Sequence, residues 1–538
     1  MTPRRTWIAL IVCVSIGLAP AFAKTLDLDS ATIADLNAAF DAGTLSAEKL
    51  VQLCLARITA FDRSGPALHA VITINPKALE TARALDAERK TKGRRSFLHG
   101  IPVVLKDNYD TFDLPTTGGS LLLEGSIPAK DAFVVKKLRD AGAIILAKVN
   151  MSEFASGSAY SSLGGQTRNP HDLARTPSGS SGGTGVSVAA GYAPLGLGTD
   201  TGGSIRGPAT SNGIVGLKPT HGLLSRSGII PLALSFDTGG PMARSVADVA
   251  VALGIMAGVD PGDEATKKSD GRFETDYTKA LRADALKGAR IGVARDFLGA
   301  DADVDWVVDA SLDAMRRAGA TIVDVRYPKW LLDAKGELYT AIRYPEFRAE
   351  IAEYLAHTGP KYPKSLDEMI ERSSQLTATR PDGGGPNPSR WTLFKREAAS
   401  GTLEDYQYKA VHDYGLPMVR AIVDGIFEAQ KLDAIVYPTA SRRPGLIAAP
   451  PAPGTGPAAI LAGMGLSATD LANLTGFPDL IVPAGFTGDA LPVGLSFMGR
   501  AFSEPRLLGL GYSFEQATHA RRRPVHTPAL PGESISTP

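Results

Sequence analysis

Cysteine is nearly absent from this 538-residue sequence, which holds Cys13 and Cys54 and no others. Cys13 lies in the apolar N-terminal segment, and removal of that segment would leave one cysteine. A lone cysteine excludes an internal disulfide, so stability must come from a packed core. Cys54 sits in LVQLCLARI at helical spacing with Leu50 and Ile58 and reads as packing, not as a reactive thiol. Net charge is lacking as well: 57 Lys and Arg balance 56 Asp and Glu, a formal +1. Such a balance gives no footprint for nucleic acid or an anionic membrane surface, and it points to small or uncharged partners. Histidine is scarce, with eight residues, and none shares a motif with a serine and an acid. His221, in KPTHG, reads as a loop residue. There is no internal repeat.

A long apolar run is missing too. The opening MTPRRTWIALIVCVSIGLAPAFAKT places Arg4 and Arg5 before an apolar run from Trp7 to Ala19. That run is about a dozen residues, against roughly 20 needed to span a bilayer. Ala21-Phe22-Ala23 supplies an A-x-A cleavage site. Residues 1–23 therefore read as a cleavable export signal and 24–538 as the mature domain, periplasmic or secreted, with no stable membrane anchor. The arginine pair has nothing around it to support the twin-arginine route.

What is present is a globular composition, 44% hydrophobic, 21% charged and 7% aromatic. Two helices open the mature chain, with Ser30 and Ser46 as N-caps and Gly43 between them. Apolar strands then alternate with helical patterns. AVITIN is followed by PKALETARALDAERK, IPVVLKDN by AFVVKKLRDAGA, and AIILAKV comes next. This alternation argues for an α/β protein with a largely covered sheet. A helix at SVADVAVALGIMAG, a polar linker at 259–273 and a further β-α-β piece follow. Residues 330–430 read as mainly helical. The late strands DAIVYPTA, DLIVPAGF and PVGLSFMG rejoin the main sheet, and a Pro/Gly/Ala-rich surface loop covers 444–457.

Two glycine-rich stretches stand out: TPSGSSGGTG at 176–185 and LGLGTDTGGSIRGPATSNGIVGLKP at 195–219. Gly179-Ser180-Ser181-Gly182-Gly183 fits G-x-S-x-G, but a nucleophile elbow needs a strand directly before the serine, and LARTPSGS is no strand. No Lys-Ser/Thr closes a P-loop. Thr201 stands where a dinucleotide fingerprint needs its third glycine. Alone, either stretch reads equally as a tight loop where glycine allows positive φ.

Three pieces together say more. Lys106 ends the apolar strand of HGIPVVLKDN, where an ammonium is partly desolvated. SGSSGGTG supplies Ser180 and GTDTGGSIRGPA supplies Ser204, 24 residues apart. These pieces resemble the amidase signature family and its Ser–cis-Ser–Lys triad. The likeness runs through TTGGS at 116–120, KVNMSEFASGS at 148–158, GIVGLKPTHGLLSRSGIIPLALSFDTGGPMARSVADVA at 213–250, and LTGFPDLIVPAGF with LPVGLSFMGRAFSEPRLL near the C-terminus. The FDTGGPMARSVAD and C-terminal segments look most like bacterial peptide amidases. Thr184-Gly185 replaces the frequent Ser-Ala, and Ser178 sits where glycine is common; neither removes a catalytic group.

The resemblance implies a central mixed β-sheet flanked by helices on both faces, with no metal and no organic cofactor. It makes Ser204 the nucleophile, Ser180 the bridging serine behind a cis Gly179–Ser180 peptide, and Lys106 the base. Backbone amides of Thr201, Gly202, Gly203 and Ser204 become the oxyanion hole, while Asp200 and Arg206 brace the loop. The chemistry is self-consistent. An ordinary lysine is neutral in roughly one molecule in 2,500 at pH 7, and burial raises that fraction by disfavouring the cation. Export argues against the tRNA-amidating branch of the family. Peptide C-terminal amides and aryl or acyl amides both remain open as substrates. A binding protein that has lost catalysis should lack one of the three groups, and all three are present. The loops at 151–168 and 441–470 are the candidates for shaping the pocket.

Overall fold

The computed structural model describes residues 24–447 and 468–537, so the expected signal segment and part of the 444–457 loop lie outside the described residues. Two short strand pairs stand apart from the main sheet: β1 (Lys24–Asp27) with β15 (Ser534–Thr537), and β5 (Tyr160–Ser161) with β6 (Gly165–Gln166). The main sheet begins with β2 (Val71–Ile74), β3 (Pro102–Lys106), β4 (Ile144–Val149), β7 (Leu195–Asp200), β8 (Val215–Lys218) and β9 (Thr238–Ala243). It continues with β10 (Arg290–Ala294), β11 (Thr321–Val325), β12 (Ala434–Pro438), β13 (Asp479–Phe486) and β14 (Pro492–Met498). These eleven strands lie in the order β11-β10-β12-β14-β13-β8-β9-β7-β3-β4-β2. Parallel pairing joins β10 to β11 and β12, and β3 to β4 and β7, while the centre of the sheet is antiparallel. The sheet is mixed, and the late strands do rejoin it.

Period-2 alternation shows that both faces are covered. On β13, Ile481 packs with Val188 and Ala189 of the helix Gly182–Ala189, Ala209 of the helix Arg206–Ser211, and Ile205 directly before the latter. Its neighbours Leu480 and Val482 belong to the larger core with Val249 and Phe514, from the helices Val246–Met256 and Glu504–Thr518. Residues 479–483 of β13 are buried on both faces, which removes their apolar surface from water at roughly 25 cal/mol per Å². Cys54 is fully buried in that larger core, where burial pushes its thiol up to about 12. The packing reading of this residue holds.

Between β11 and β12 the chain inserts the helices Lys329–Ala356, Leu366–Ser374, Pro388–Ala398 and Leu416–Gln430. Among the described residues, no helix is long and apolar enough to cross a membrane. Two details differ from the sequence expectation. Thr32, not Ser30, caps the first helix, because its side chain forms a capping box with Asp35, whereas Ser30 Oγ donates to the Asp27 carbonyl. The strand β15 lies in a polar tail with no apolar alternation to mark it; it closes on β1 beside a buried Arg57–Glu533 pair at 2.6 Å.

The topology fixes where chemistry can sit. Lys106 ends β3 and Asp200 ends β7, its parallel neighbour, while β9 runs antiparallel to β7 with Thr238 opposite Asp200. Two strand C-termini and one strand N-terminus therefore meet at a single edge. Residues 106, 199–204 and 237 converge there.

Candidate active site

Lys106 is fully buried, and its Nζ meets no carboxylate. It lies 2.7 Å from Ser180 Oγ, 2.6 Å from Thr199 Oγ1 and 3.4 Å from the Thr199 carbonyl. With only neutral partners, burial pushes the lysine down to about 7, against an upward pull from Asp200 and Asp237. Near neutral pH a large fraction of Lys106 is therefore a free amine with a lone pair to offer.

Ser180 follows a cis Gly179–Ser180 peptide. Its carbonyl accepts from Ser152 N–H at 3.0 Å, so the 151–168 loop packs directly on this serine. The next residue, Ser181, donates its N–H to the Ser204 carbonyl at 3.1 Å, which sets the two glycine-rich loops side by side. Ser204 is partly exposed, and among the described residues its hydroxyl has no hydrogen-bond partner. Ser181 has a different place. It is fully buried, and its Oγ holds the Thr199 backbone by donating to the carbonyl and accepting from the N–H, both at 3.2 Å. That excludes Ser181 as an accessible nucleophile.

Glycine is needed here for close approach. Gly203 has φ +121°, and a Cβ there would fall 2.5 Å from Thr469 Oγ1. On β7, a Cβ at Gly198 would fall 2.8 Å from Ser181 Oγ, separating the strand from the helix that follows Ser181.

Asp200 and Arg206 form a closed clamp, both fully buried. The Asp200 carboxylate accepts from Arg206 Nε and Nη2 at 3.0 and 2.9 Å, and from the N–H groups of Gly203 and Ile205 at 2.8 and 3.0 Å. Burial opposes its ionisation, but the guanidinium and the Asn473 amide hold it below the usual carboxylate range. Arg206 reaches on to Asp479 at 2.9 Å and to the Thr469 carbonyl at 2.8 Å. Through these contacts the pair joins the Gly203–Ile205 backbone to Asp479 and Thr469. One detail of the expected oxyanion hole changes: the Gly203 N–H is already committed to Asp200. The amides of Thr201, Gly202 and Ser204 make no hydrogen bond among the described residues.

Several residues in this constellation carry no chemical signal of their own in the sequence, although Asp237 lies in FDTGGPMARSVAD and Asp479 in LTGFPDLIVPAGF. Asn473, Thr469 and Asp479 complete the clamp, and Tyr437 donates its hydroxyl to Asp479. Asp237 accepts from the Thr201 hydroxyl and from the N–H groups of Leu232 and Ala233 at 2.8 and 3.1 Å, which ties the Ser204 loop to the loop before β9. Thr199 and Asn108 surround the lysine. Both stand beside motif residues, in GTDTGGS and KDN, and adjacency was the available signal. His221 instead hydrogen-bonds the Leu234 carbonyl at 2.8 Å and belongs to the loop scaffold. Of the loops expected to shape the pocket, 151–168 contacts Ser180, and the described end of 441–470 contacts the Ser204 loop through the bond from Thr469 Oγ1 to the Gly202 carbonyl at 3.0 Å.

A mixed, doubly covered sheet whose strand ends join a buried lysine to two serine loops is the architecture of an amide-hydrolysing enzyme. The family model described as Amidase matches residues 49–508. The chain belongs to the amidase signature family. It is similar to the solved peptide amidase of Stenotrophomonas maltophilia, at 38% identity over 93% of this chain and 99% of that one, with a TM-score of 0.81. It is also 34% identical to a probable amidase of Arabidopsis thaliana over 96% of this chain and 95% of the relative. A third relative, one of the subunits of the glutamyl-tRNA(Gln) amidotransferase of Thermoanaerobacter pseudethanolicus, is 36% identical over 93% of this chain and 99% of that protein.

Proposed function

We propose that this amidase releases ammonia from the C-terminal amide of short peptides, through an acyl-enzyme on Ser204. One observation carries the mechanism: Lys106, buried without a counter-ion, sits 2.7 Å from Ser180 Oγ. The neutral amine takes the Ser180 proton as Ser180 takes that of Ser204, and the Ser204 oxygen bonds to the amide carbon. The oxyanion collects hydrogen bonds from the amides of Thr201, Gly202 and Ser204, preorganised by the Asp200–Arg206 clamp. On collapse the carbon–nitrogen bond breaks, and the proton on Lys106 returns through Ser180 to the departing nitrogen. This step matters because an amide anion is a very poor leaving group. Water then attacks the ester, its proton taken by the same relay, and Ser204 is released with the carboxylate product.

The likeness to peptide amidases supports a peptide amide as the substrate. The near-neutral charge of the chain fits a peptide whose terminal carboxylate is masked. A basic pair, a short apolar run and an A-x-A site support export, which N-terminal sequencing of protein recovered outside the cytoplasm would test. The substrate test compares three compounds: a dipeptide amide, the same dipeptide with a free carboxylate, and an acyl anilide. Ammonia release from the first alone is expected. Preferential turnover of the anilide would replace the peptide reading with an aryl acylamidase. A fluorophosphonate should add once, on the peptide carrying Ser204, and Ser204→Ala should remove the label while leaving the fold intact.

A further inference from the structure

The hydrogen bonds around Lys106 assign a role to a neighbour. A neutral amine has two N–H donors and one lone pair. If the lone pair is to receive the Ser180 proton, both N–H groups need acceptors elsewhere, or the amine rotates and presents a hydrogen to Ser180. Both acceptors come from one residue: Thr199 Oγ1 at 2.6 Å and the Thr199 carbonyl at 3.4 Å.

Thr199 is itself held on every side. Ser181 Oγ binds its backbone N–H and carbonyl, both at 3.2 Å. Asn108 Nδ2 donates to the Thr199 hydroxyl at 3.1 Å, so Lys106 and Asn108 together use both lone pairs of that oxygen. Its own hydrogen is left for the small cavity that Thr199 lines with Thr201 and Asp237. Thr199 and Asn108 are 4% and 1% exposed, so bulk water does not compete for these contacts.

We propose that Thr199 is a positioning residue for amide hydrolysis: it binds both N–H groups of the neutral Lys106 amine and leaves the nitrogen lone pair facing Ser180. The proposal rests on Lys106 being the base. It adds an orienting partner, as the third member of a triad orients the base in other nucleophilic sites. Thr199 accepts from the ammonium more strongly than from the amine, because hydrogen bonds to an ionised donor are the stronger kind. Losing the hydroxyl therefore disfavours the cation and lowers the lysine pKa further. The other charges near Lys106 stay in place. Asp200 at the end of β7 remains clamped by Arg206, and Asp237 before β9 keeps its N–H donors. Lys148 on β4 remains paired with Asp107 at 3.2 Å.

The test uses Thr199→Val, which keeps the shape and removes the oxygen, and Thr199→Ser, which restores it. Thr199→Val should lower kcat by about 10²-fold, leave KM near wild type, and move the acidic limb of kcat/KM to lower pH. Thr199→Ser should recover most of the rate and the original limb. A Thr199→Val enzyme with wild-type rate, or one slowed with its limb unmoved, would overturn the proposal, the second outcome marking a structural role alone. Failure of Thr199→Ser to rescue would also overturn it. Lys106→Met separates the two readings. If that variant keeps the acidic limb, lysine is not the base. If it abolishes the limb while Thr199→Val changes nothing, only the assignment of Thr199 falls.

Discussion

Lys106 and Arg206 are both fully buried cationic side chains, at the ends of a strand and a loop that meet at one sheet edge. Their surroundings differ in one respect. Arg206 has two carboxylates within 2.9 Å, Asp200 and Asp479, while Lys106 has hydroxyls and a carbonyl. Burial disfavours both cations, but for Arg206 the carboxylates outweigh it and lift its pKa above the ordinary value. Lys106 falls to about 7. The same desolvation thus leaves a permanent cation in one case and an amine that loses its proton near pH 7 in the other. The choice is made by the neighbours, not by depth.

Moving a counter-ion across should break that distinction. Thr199→Asp would place a carboxylate against Lys106 Nζ and remake the environment of Arg206 around the lysine. The ammonium would be favoured, so the acidic limb of kcat/KM should leave its position near pH 7 and rise by more than about one pH unit. At pH 7 activity should fall at least about fivefold from protonation alone, since a general base works only in its free form, and losing the positioning by Thr199 should add about 10²-fold. Recovery of rate at high pH would separate this effect from unfolding. A variant with near wild-type activity at pH 7 would sink the idea that a missing counter-ion makes the base.

Removing a counter-ion from the other side gives the next largest effect. Asp200→Asn leaves Arg206 buried with Asp479 alone and weakens the acceptor for the Gly203 and Ile205 amides. Breaking a buried ion pair by deleting one partner costs about 3–5 kcal/mol. A fall in unfolding free energy of that size in denaturant melts is expected, with kcat reduced because the Gly202–Ser204 turn loses its anchor. Loss of activity without loss of stability would instead give Asp200 a direct part in the chemistry.

This contrast was only half legible in the sequence. Apolar runs alternating with 3.6-periodic segments gave away the covered α/β sheet, because burial on both faces leaves a continuous apolar strand. Lys106, Ser180 and Ser204 were recognisable because each sits in a long motif of unusual composition. Apart from Asp200, the partners that set the protonation of the two cations were not. Asp479, Asn473 and Thr469 reach Arg206 from more than 260 positions away, and no spacing rule encodes such a contact. Thr199 and Gly203 lie inside the glycine-rich run itself. Their roles depend on which backbone amide and which lone pair point inward, and residue type does not specify that. Ser30 shows the same limit locally: a good capping residue lost the position to Thr32, whose partner Asp35 lies three residues on.

The smallest expected effect is on stability, and it has the opposite sign to the others. Lys106 has its pKa lowered from the ordinary value of 10.5 to about 7 on folding. Between pH 7 and 10.5 the unfolded chain therefore binds more protons than the native state, and the lysine's contribution makes stability rise with pH across that window. Below pH 7 both states hold the proton, and the full penalty of burying the ammonium remains. Lys106→Met replaces the amine with an apolar group of similar length. It gives up the bonds to Ser180 and Thr199 but also removes the penalty. At pH 7 the variant should be more stable than wild type by about 2 kcal/mol, as is common when a functional group held against its preference is removed. The gain should shrink as pH approaches 10.5, where the native amine is neutral at no cost. Denaturant melts of both proteins at pH 7 and about pH 9.5 would measure it. A variant less stable than wild type at pH 7, with the difference constant in pH, would mean that Lys106 is held as a cation and that its contrast with Arg206 is not one of charge.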